Sequence, residues 1–303
     1  MNYSFFIFIC NVLFFIILTI QINTKMKNLL TTLFICLFAF AFGQNSLLWK
    51  IEGNGLEKPS YLYGTVHMIC KNEFKMQEKL KKVIASTDQA YFEIDLANPN
   101  FLNEMRENMT SDKKISDQIS KEDANYINDI LKNKLGTGIE TFDYFKPMML
   151  LSLIMQSSLP CEITSLENEI ISDYKVNGKQ MGGLSKVSEQ YAYLDRFVDI
   201  NEMMKTIKSL DSDEFKSALA SIVNLYKLED IKGIDDIMIK YTGANPEIYE
   251  VLVIERNKIW TDKIPELISN KSTLVAVGSG HLAGENGLIS LLRKKGYQVN
   301  PVY

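Results

Sequence analysis

Residues 272–302 read Ser272-Thr-Leu-Val-Ala-Val-Gly278-Ser-Gly-His281-Leu-Ala-Gly-Glu-Asn-Gly-Leu288-Ile-Ser-Leu-Leu-Arg-Lys-Lys295-Gly-Tyr-Gln-Val-Asn-Pro-Val302. Ser272–Val277 reads as a strand, ending in the apolar run Leu274–Val277. A glycine-rich turn follows, then a helix expected over Gly284–Lys295 and a strand over Tyr297–Val302. A strand–turn–helix–strand unit of this length is a βαβ piece of a mostly parallel sheet. Ligands of such sheets gather beyond the carboxyl ends of the strands, where Gly278–His281 falls.

The other end of the chain carries a matching turn. Leu47–Ile51 and Tyr61–Val66 read as two strands joined through Asn54-Gly55, a hairpin signal. The second strand runs into Gly64-Thr-Val-His67. His67 and His281 are the only histidines, and each stands three residues after a glycine. With 16 Gly in 303 residues, that coincidence has a chance of about 1 in 360, so the two turns are read as halves of one site. Glycine is expected here because it turns sharply after a strand and adopts φ > 0.

Between the ends, Asn72 is expected to cap a helix to Ser86, with Phe74, Leu80, Val83 and Ile84 inward. Ala90–Ile94 is a strand, and Gln180–Leu184 another after the turn at Asn177-Gly178. Helical periodicity covers 99–109, 120–134, 145–157, 165–175, 187–208, 212–228 and 246–269, the last opening Asn245-Pro246. The fold class is therefore α/β: a central, mostly parallel sheet with an N-terminal β-hairpin and a large helical insertion.

Residues 1–43 differ in kind. Two apolar runs flank Lys25-Met26-Lys27. The second has a basic start, an apolar centre and Ala41-Phe42-Gly43 as a small-x-small cleavage site. Met26 is the expected start, 26–43 the signal peptide, and 44–303 a single exported domain, periplasmic or envelope-associated. An uncleaved leader would be its only membrane contact. The alternative, that residues 5–20 form a membrane anchor, meets a run of about 16–18 residues, short for a spanning helix. The net charge of −4 leaves no electrostatic footprint for nucleic acid. Cys10 and Cys36 lie in the leader. Cys70 and Cys161 remain, either as one disulfide or as two buried thiols.

Imidazole ligates metals and serves as a general base near neutral pH. Two histidines need further ligands to hold a catalytic metal, and those should be carboxylates. Glu93 ends a strand on the edge shared with His67; the bland alternative is a solvated strand-end acid. Asp95, two residues on, is the backup. Glu167 follows Thr164 by three and equally suits the acid of a capping box. No Gly-x-Ser-x-Gly elbow or phosphate loop is present.

These residues, together with Leu48-Trp49-Lys50-Ile51, Phe92-Glu93-Ile94-Asp95, Thr164-Ser-Leu-Glu167, Glu255-Arg256-Asn257 and Trp260, resemble the TraB/GumN family, which includes the Tiki-type metalloproteases. The likeness covers about Leu47 to Tyr303. It implies a fold similar to erythromycin-esterase and ChaN-like proteins. It also implies a metal-dependent hydrolase of peptide or protein substrates, with manganese or cobalt-type ions, or zinc, as candidates. Carried over, His67, His281, Glu93 and Glu167 form the metal shell. Glu93, Glu167, Arg256 and Asn257 are the catalytic candidates. Arg256 would stabilise an oxyanion or orient a carboxylate, the alternative being a helix-surface salt bridge. Asn257 would bond substrate or a ligand, the alternative being a plain surface position. One departure stands out. Where the family has Leu-Glu-Thr, this chain has Leu184-Ser185-Lys186, while keeping Glu189-Gln190. That loss favours a rival reading: a non-catalytic haem- or partner-binding envelope protein on the same fold. A third reading, an anchored structural protein, predicts that the two histidines do not cluster. Rings more than about 10 Å apart would exclude one mononuclear site.

Overall fold

The computed structural model describes residues 45–73, 75–159, 161–243 and 245–303. The leader with Cys10 and Cys36, and the inward position expected of Phe74, lie outside the described residues.

The hairpin forms as read. Strands β1 (Leu48–Glu52) and β2 (Ser60–Thr65) pair antiparallel, Leu48 opposite Tyr63. The turn places Gly53, Asn54 and Gly55 at positive φ, which the Asn-Gly pair tolerates without a steric penalty. Next comes a two-residue strand, β3 (Ile69–Cys70). Helix α1 (Glu78–Ser86) starts later than expected, and Asn72 falls in a 3-10 turn instead of capping it. The cause lies in β3, whose pairing continues into a Lys71 N–H to Glu162 O bond and delays the helix. Leu80, Val83 and Ile84 are buried as expected.

Strand β4 (Gln89–Ile94) leads into α2 (Phe101–Met109), α3 (Lys121–Leu135) and α4 (Pro147–Ser158). The short β5 (Ile163–Thr164) pairs with β3. Helix α5 (Leu166–Val176) and β6 (Gln180–Ser185) follow. The helix expected over 187–208 is two, α6 (Val187–Asp195) and α7 (Ile200–Ser209). Asp199 breaks it by accepting the Asn201 and Glu202 N–H groups, a cap stronger than the periodicity across it. Helix α8 (Asp213–Lys227) is followed by α9 (Ile231–Thr242), which the sequence reading lacks because Gly233 interrupts its pattern. The long final helix is composite: α10 (Pro246–Tyr249), a π-helical segment (Glu250–Glu255) and α11 (Arg256–Ser269). Strand β7 (Thr273–Gly278), α12 (Leu288–Lys294) and β8 (Gln298–Pro301) close the chain.

The sheet runs β6-β4-β7-β2-β1-β8. Its four strands β6, β4, β7 and β2 are mutually parallel, and β1 runs against both β2 and β8. Thr65 lies beside Gly278, and Ile94 beside Ser185, so the four carboxyl ends finish along one edge. The larger hydrophobic cluster surrounds this sheet, with Trp49, Phe92, Trp260 and Val275 inside it. A second cluster, including Ile127, Leu131, Leu150, Ile154 and Met203, is built from α3, α4 and α7. Among the described residues no helix is long and apolar enough to cross a membrane.

Candidate functional site

The carboxyl edge gathers the residues that the sequence singles out. His67 follows β2, Glu93 is in β4, and His281 ends the 3-10 turn after β7. His67 Nε2 lies 3.7 Å and His281 Nε2 3.8 Å from the same oxygen, Glu93 Oε1. The two rings therefore meet the distance condition for one site.

Each histidine is gripped through Nδ1. His67 Nδ1 lies 2.7 Å from Glu167 Oε1. His281 Nδ1 lies 2.8 Å from Asn257 Oδ1. The Asn257 amide is fixed because its Nδ2 donates to the carbonyls of His281 and Asn286. Its Oδ1 therefore accepts, Nδ1 of His281 donates, and the neutral ring keeps its lone pair on Nε2. Burial holds His281 neutral, pushing its pKa down to about 3, with Arg256 adding to the effect and Glu93 opposing it. His67 behaves oppositely. The protein packed on one side of its ring disfavours protonation, but Glu167 and Glu93 outweigh this and raise its pKa to about 9. Its side chain is 60% exposed, so it forms the open wall of the cleft.

Glu93 is buried, which overturns the solvated strand-end alternative. Burial would raise its carboxyl, but Arg256, His281 and His67 and the Gly278 N–H hold it well below the usual range. Arg256 Nη2 donates to Glu93 Oε2 and, at 3.2 Å, to Gln190 Oε1. Its Nη1 lies 3.4 Å from His281 Nε2. Arg256 thus orients a carboxylate from inside the fold; it is no surface ion pair. Asn257 is fully buried, so its alternative as a surface position also falls.

Glu167 is no capping-box acid. Ser165 caps α5 by accepting the Asn168 N–H, while Glu167 turns inward and accepts from the Thr65 hydroxyl at 2.6 Å. Its Oε2 is buried without a partner. The backup acid Asp95 folds back onto the Ala97 N–H. Ser185, in place of the family's acid, accepts from Trp260 Nε1 at 2.9 Å. That indole also packs against the site, with its ring centre 4.6 Å from that of the tilted His281 ring and 4.5 Å from the Arg256 guanidinium carbon. Thr65, Gln190 and Trp260 also take part in the site; each stands within a motif quoted from the sequence, but none of them is given a role there. A threonine two before a histidine and an aromatic inside a helix carry no signal of their own.

The cleft has a volume of about 350 Å³ and is lined by His67, Glu93, Glu167 and Gln190 against Phe92 and Leu96, among others. Among the described residues no three His, Cys, Asp or Glu side chains are already arranged as a metal cage.

The fold and site together define a mixed α/β protein with a histidine–carboxylate cluster at the carboxyl edge of its sheet. The profile of the TraB/PrgY/gumN family matches residues 47–301, and the chain belongs to that family. It is 25% identical to the Metalloprotease TIKI homolog of Amphimedon queenslandica, over 85% of this chain and 61% of that protein. Metalloprotease TIKI2 of Xenopus tropicalis is 21% identical over 84% of this chain and 59% of its own length. The Danio rerio protein of the same name is 20% identical over 84% and 60%. The chain thus spans about three fifths of the length of these relatives. No solved structure matches it.

Proposed function

We propose that the protein is an exported, metal-dependent hydrolase of peptide bonds. One observation carries this reading: two imidazoles, each held through Nδ1, turn their Nε2 atoms toward one oxygen of a buried, ionised carboxylate. Metal-ligating histidines characteristically have their second nitrogen fixed in this way. The donor set suits a divalent cation of the manganese, cobalt or zinc type, and the orphaned Glu167 Oε2 adds a buried acceptor at the same cleft. His67 and His281 through Nε2, and Glu93 through Oε1, would hold the ion. When bound, it supplies Lewis acidity and lowers the pKa of water.

The chain's own groups do the rest. Arg256 keeps Glu93 ionised and fixed. Asn257 holds the His281 tautomer. Glu167 reaches the far nitrogen of His67, so its role shifts from ligand to orienting partner, and its free oxygen is the proton acceptor. Phe92 and Leu96 form an apolar wall for substrate. Export is supported by the apolar leader and by the Cys70–Cys161 disulfide, a bond that persists in oxidising compartments.

A second reading, ligand binding without turnover, is favoured by Ser185, which is committed to Trp260 where the family has an acid. Metal analysis of the full purified chain, followed by a peptide-library cleavage assay, separates the two. Cleavage abolished by a chelator and by His67→Ala supports the hydrolase. Metal uptake without cleavage supports the binding reading, and no uptake overturns the hydrolase.

A further inference from the structure

The two histidines are not held equally. His281 is gripped from the helix side at both nitrogens, by Asn257 and Arg256. His67 stands on the three residues between the end of β2 at Thr65 and the start of β3 at Ile69, and most of its ring is exposed. Its position against Glu167 therefore depends on what pins the far end of that short span. That pin is the β3–β5 ladder, two residue pairs, Ile69 with Thr164 and Cys70 with Ile163, flanked by single backbone bonds from the Lys71 N–H to Glu162 O and from the Leu166 N–H to Val66 O. A ladder of this size is marginal on its own in water. The Cys70–Cys161 disulfide closes it, joining positions 91 residues apart. His67 lies three residues before Cys70, and Glu167 six after Cys161. The cross-link thus ties the His67 arm directly to the segment that carries its partner.

We infer that the Cys70–Cys161 disulfide is a positioning element of the cleft: by clamping the two-rung ladder it holds His67 against Glu167. Calling the cleft a metal site rests on the proposed function; the His67–Glu167 geometry does not. Glu167 has its own anchor on the Thr65 hydroxyl, so breaking the bond is expected to free His67 chiefly, leaving Glu93, Arg256 and His281 in place.

Because the chain has two histidines only, histidine-labelled protein gives one reporter at the cleft wall, His67, and one in the buried part of the site, His281. The test compares imidazole nitrogen resonances of the full chain in three forms: oxidised, reduced with dithiothreitol, and as Cys70→Ser/Cys161→Ser. In the reduction the dithiol is oxidised to its cyclic disulfide while Cys70 and Cys161 each take up one electron and one proton. The expected result is that the His67 resonances move to those of an unconstrained imidazole while the His281 resonances stay. Cobalt(II) affinity should fall about tenfold or more, the scale of losing an orienting partner of a metal ligand. Unchanged His67 resonances in a reduced protein would overturn the inference. So would joint loss of both histidine signatures on reduction, which would mark the bond as a general support of the fold; if the serine variant alone fails to fold, the reduced protein decides. Oxidised protein that takes up no cobalt refutes the proposed function, and the His67 comparison still decides the role of the disulfide.

Discussion

Glu93 is a carboxylate sealed in the protein, and its charge survives there because Arg256 lies against it. The guanidinium is itself buried, with one hand on Glu93 and Gln190 and the other on the Leu252 carbonyl. Removing one partner of such a pair leaves an uncompensated buried charge, which costs about 3–5 kcal/mol. Arg256→Met is therefore expected to lower the free energy of unfolding by that amount, read from a lower denaturant midpoint. Arg256→Lys should be milder on stability yet damaging to the cleft, since one ammonium cannot reproduce the fork. Asn257 sets the other fixed point. Asn257→Ala strips the partner from His281 Nδ1 and from the His281 and Asn286 carbonyls, the first of them buried. A loss of about 1–3 kcal/mol follows from the unpaired groups, with a larger proportional loss of metal uptake by titration. An unchanged unfolding curve for either variant would contradict this account. The chemistry at both positions was legible from residue type, but its direction was not. Whether an arginine on a helix faces solvent or a buried acid depends on strands more than a hundred residues away.

At the scale of elements, the two Gly-x-x-His turns are as the sequence suggested, but the glycines serve a different purpose. Neither Gly64 nor Gly278 has positive φ. Both are needed because something comes close. A Cβ on Gly64 would meet Leu282 Cδ1 at 2.7 Å and the Ser279 Cα at 3.1 Å, jamming one turn against the other. On Gly278 it would meet Glu93 Oε1 at 3.1 Å and His67 Nε2 at 3.5 Å. Two distinct outcomes follow. Gly64→Ala should destabilise the fold by about 1–3 kcal/mol, as overpacking does, seen as a lower melting temperature. Gly278→Ala has an unstrained backbone, with φ −50° and ψ 136°, so its melting temperature should barely move while metal uptake falls. A Gly278→Ala protein with wild-type metal affinity would remove that carboxylate oxygen from the site. Strand and helix positions were readable because burial imposes periods of two and 3.6 residues. Close approach leaves no such period. For the same reason the Thr164–Glu167 spacing pointed to a capping box, although Ser165 holds the cap and frees Glu167 for the cleft.

Across the whole molecule, residues far apart in the chain must be held together for the carboxyl edge to stay intact. The larger core does most of this, but a half-buried polar junction ties Leu47 and Val302 to the helical region. Glu229, at φ 54°, accepts from Lys79 Nζ at 2.6 Å, the Leu47 N–H at 2.9 Å and Gln77 Nε2 at 2.9 Å. Lys79 also donates to Ser46 and to the Val302 carbonyl. Nothing in the sequence marks Glu229: it is one acid at a helix end, and only the folded chain gives it three donors. Its pH signature can be worked out. Burial works to raise the carboxyl, but the Lys79, Leu47 and Gln77 donors together hold it below its ordinary value of 4.5. A carboxyl depressed by folding contributes stability that is fully present above the unfolded value and is lost as pH falls through the folded one. Wild-type protein should therefore lose this contribution below about pH 4.5. Glu229→Gln, which cannot ionise, should be less stable than wild type at neutral pH. The two stability curves, measured by urea unfolding, should converge in acid. Parallel curves down to pH 3 would show that the carboxylate charge does not hold the junction, and the hydrogen bonds alone would then have to account for it.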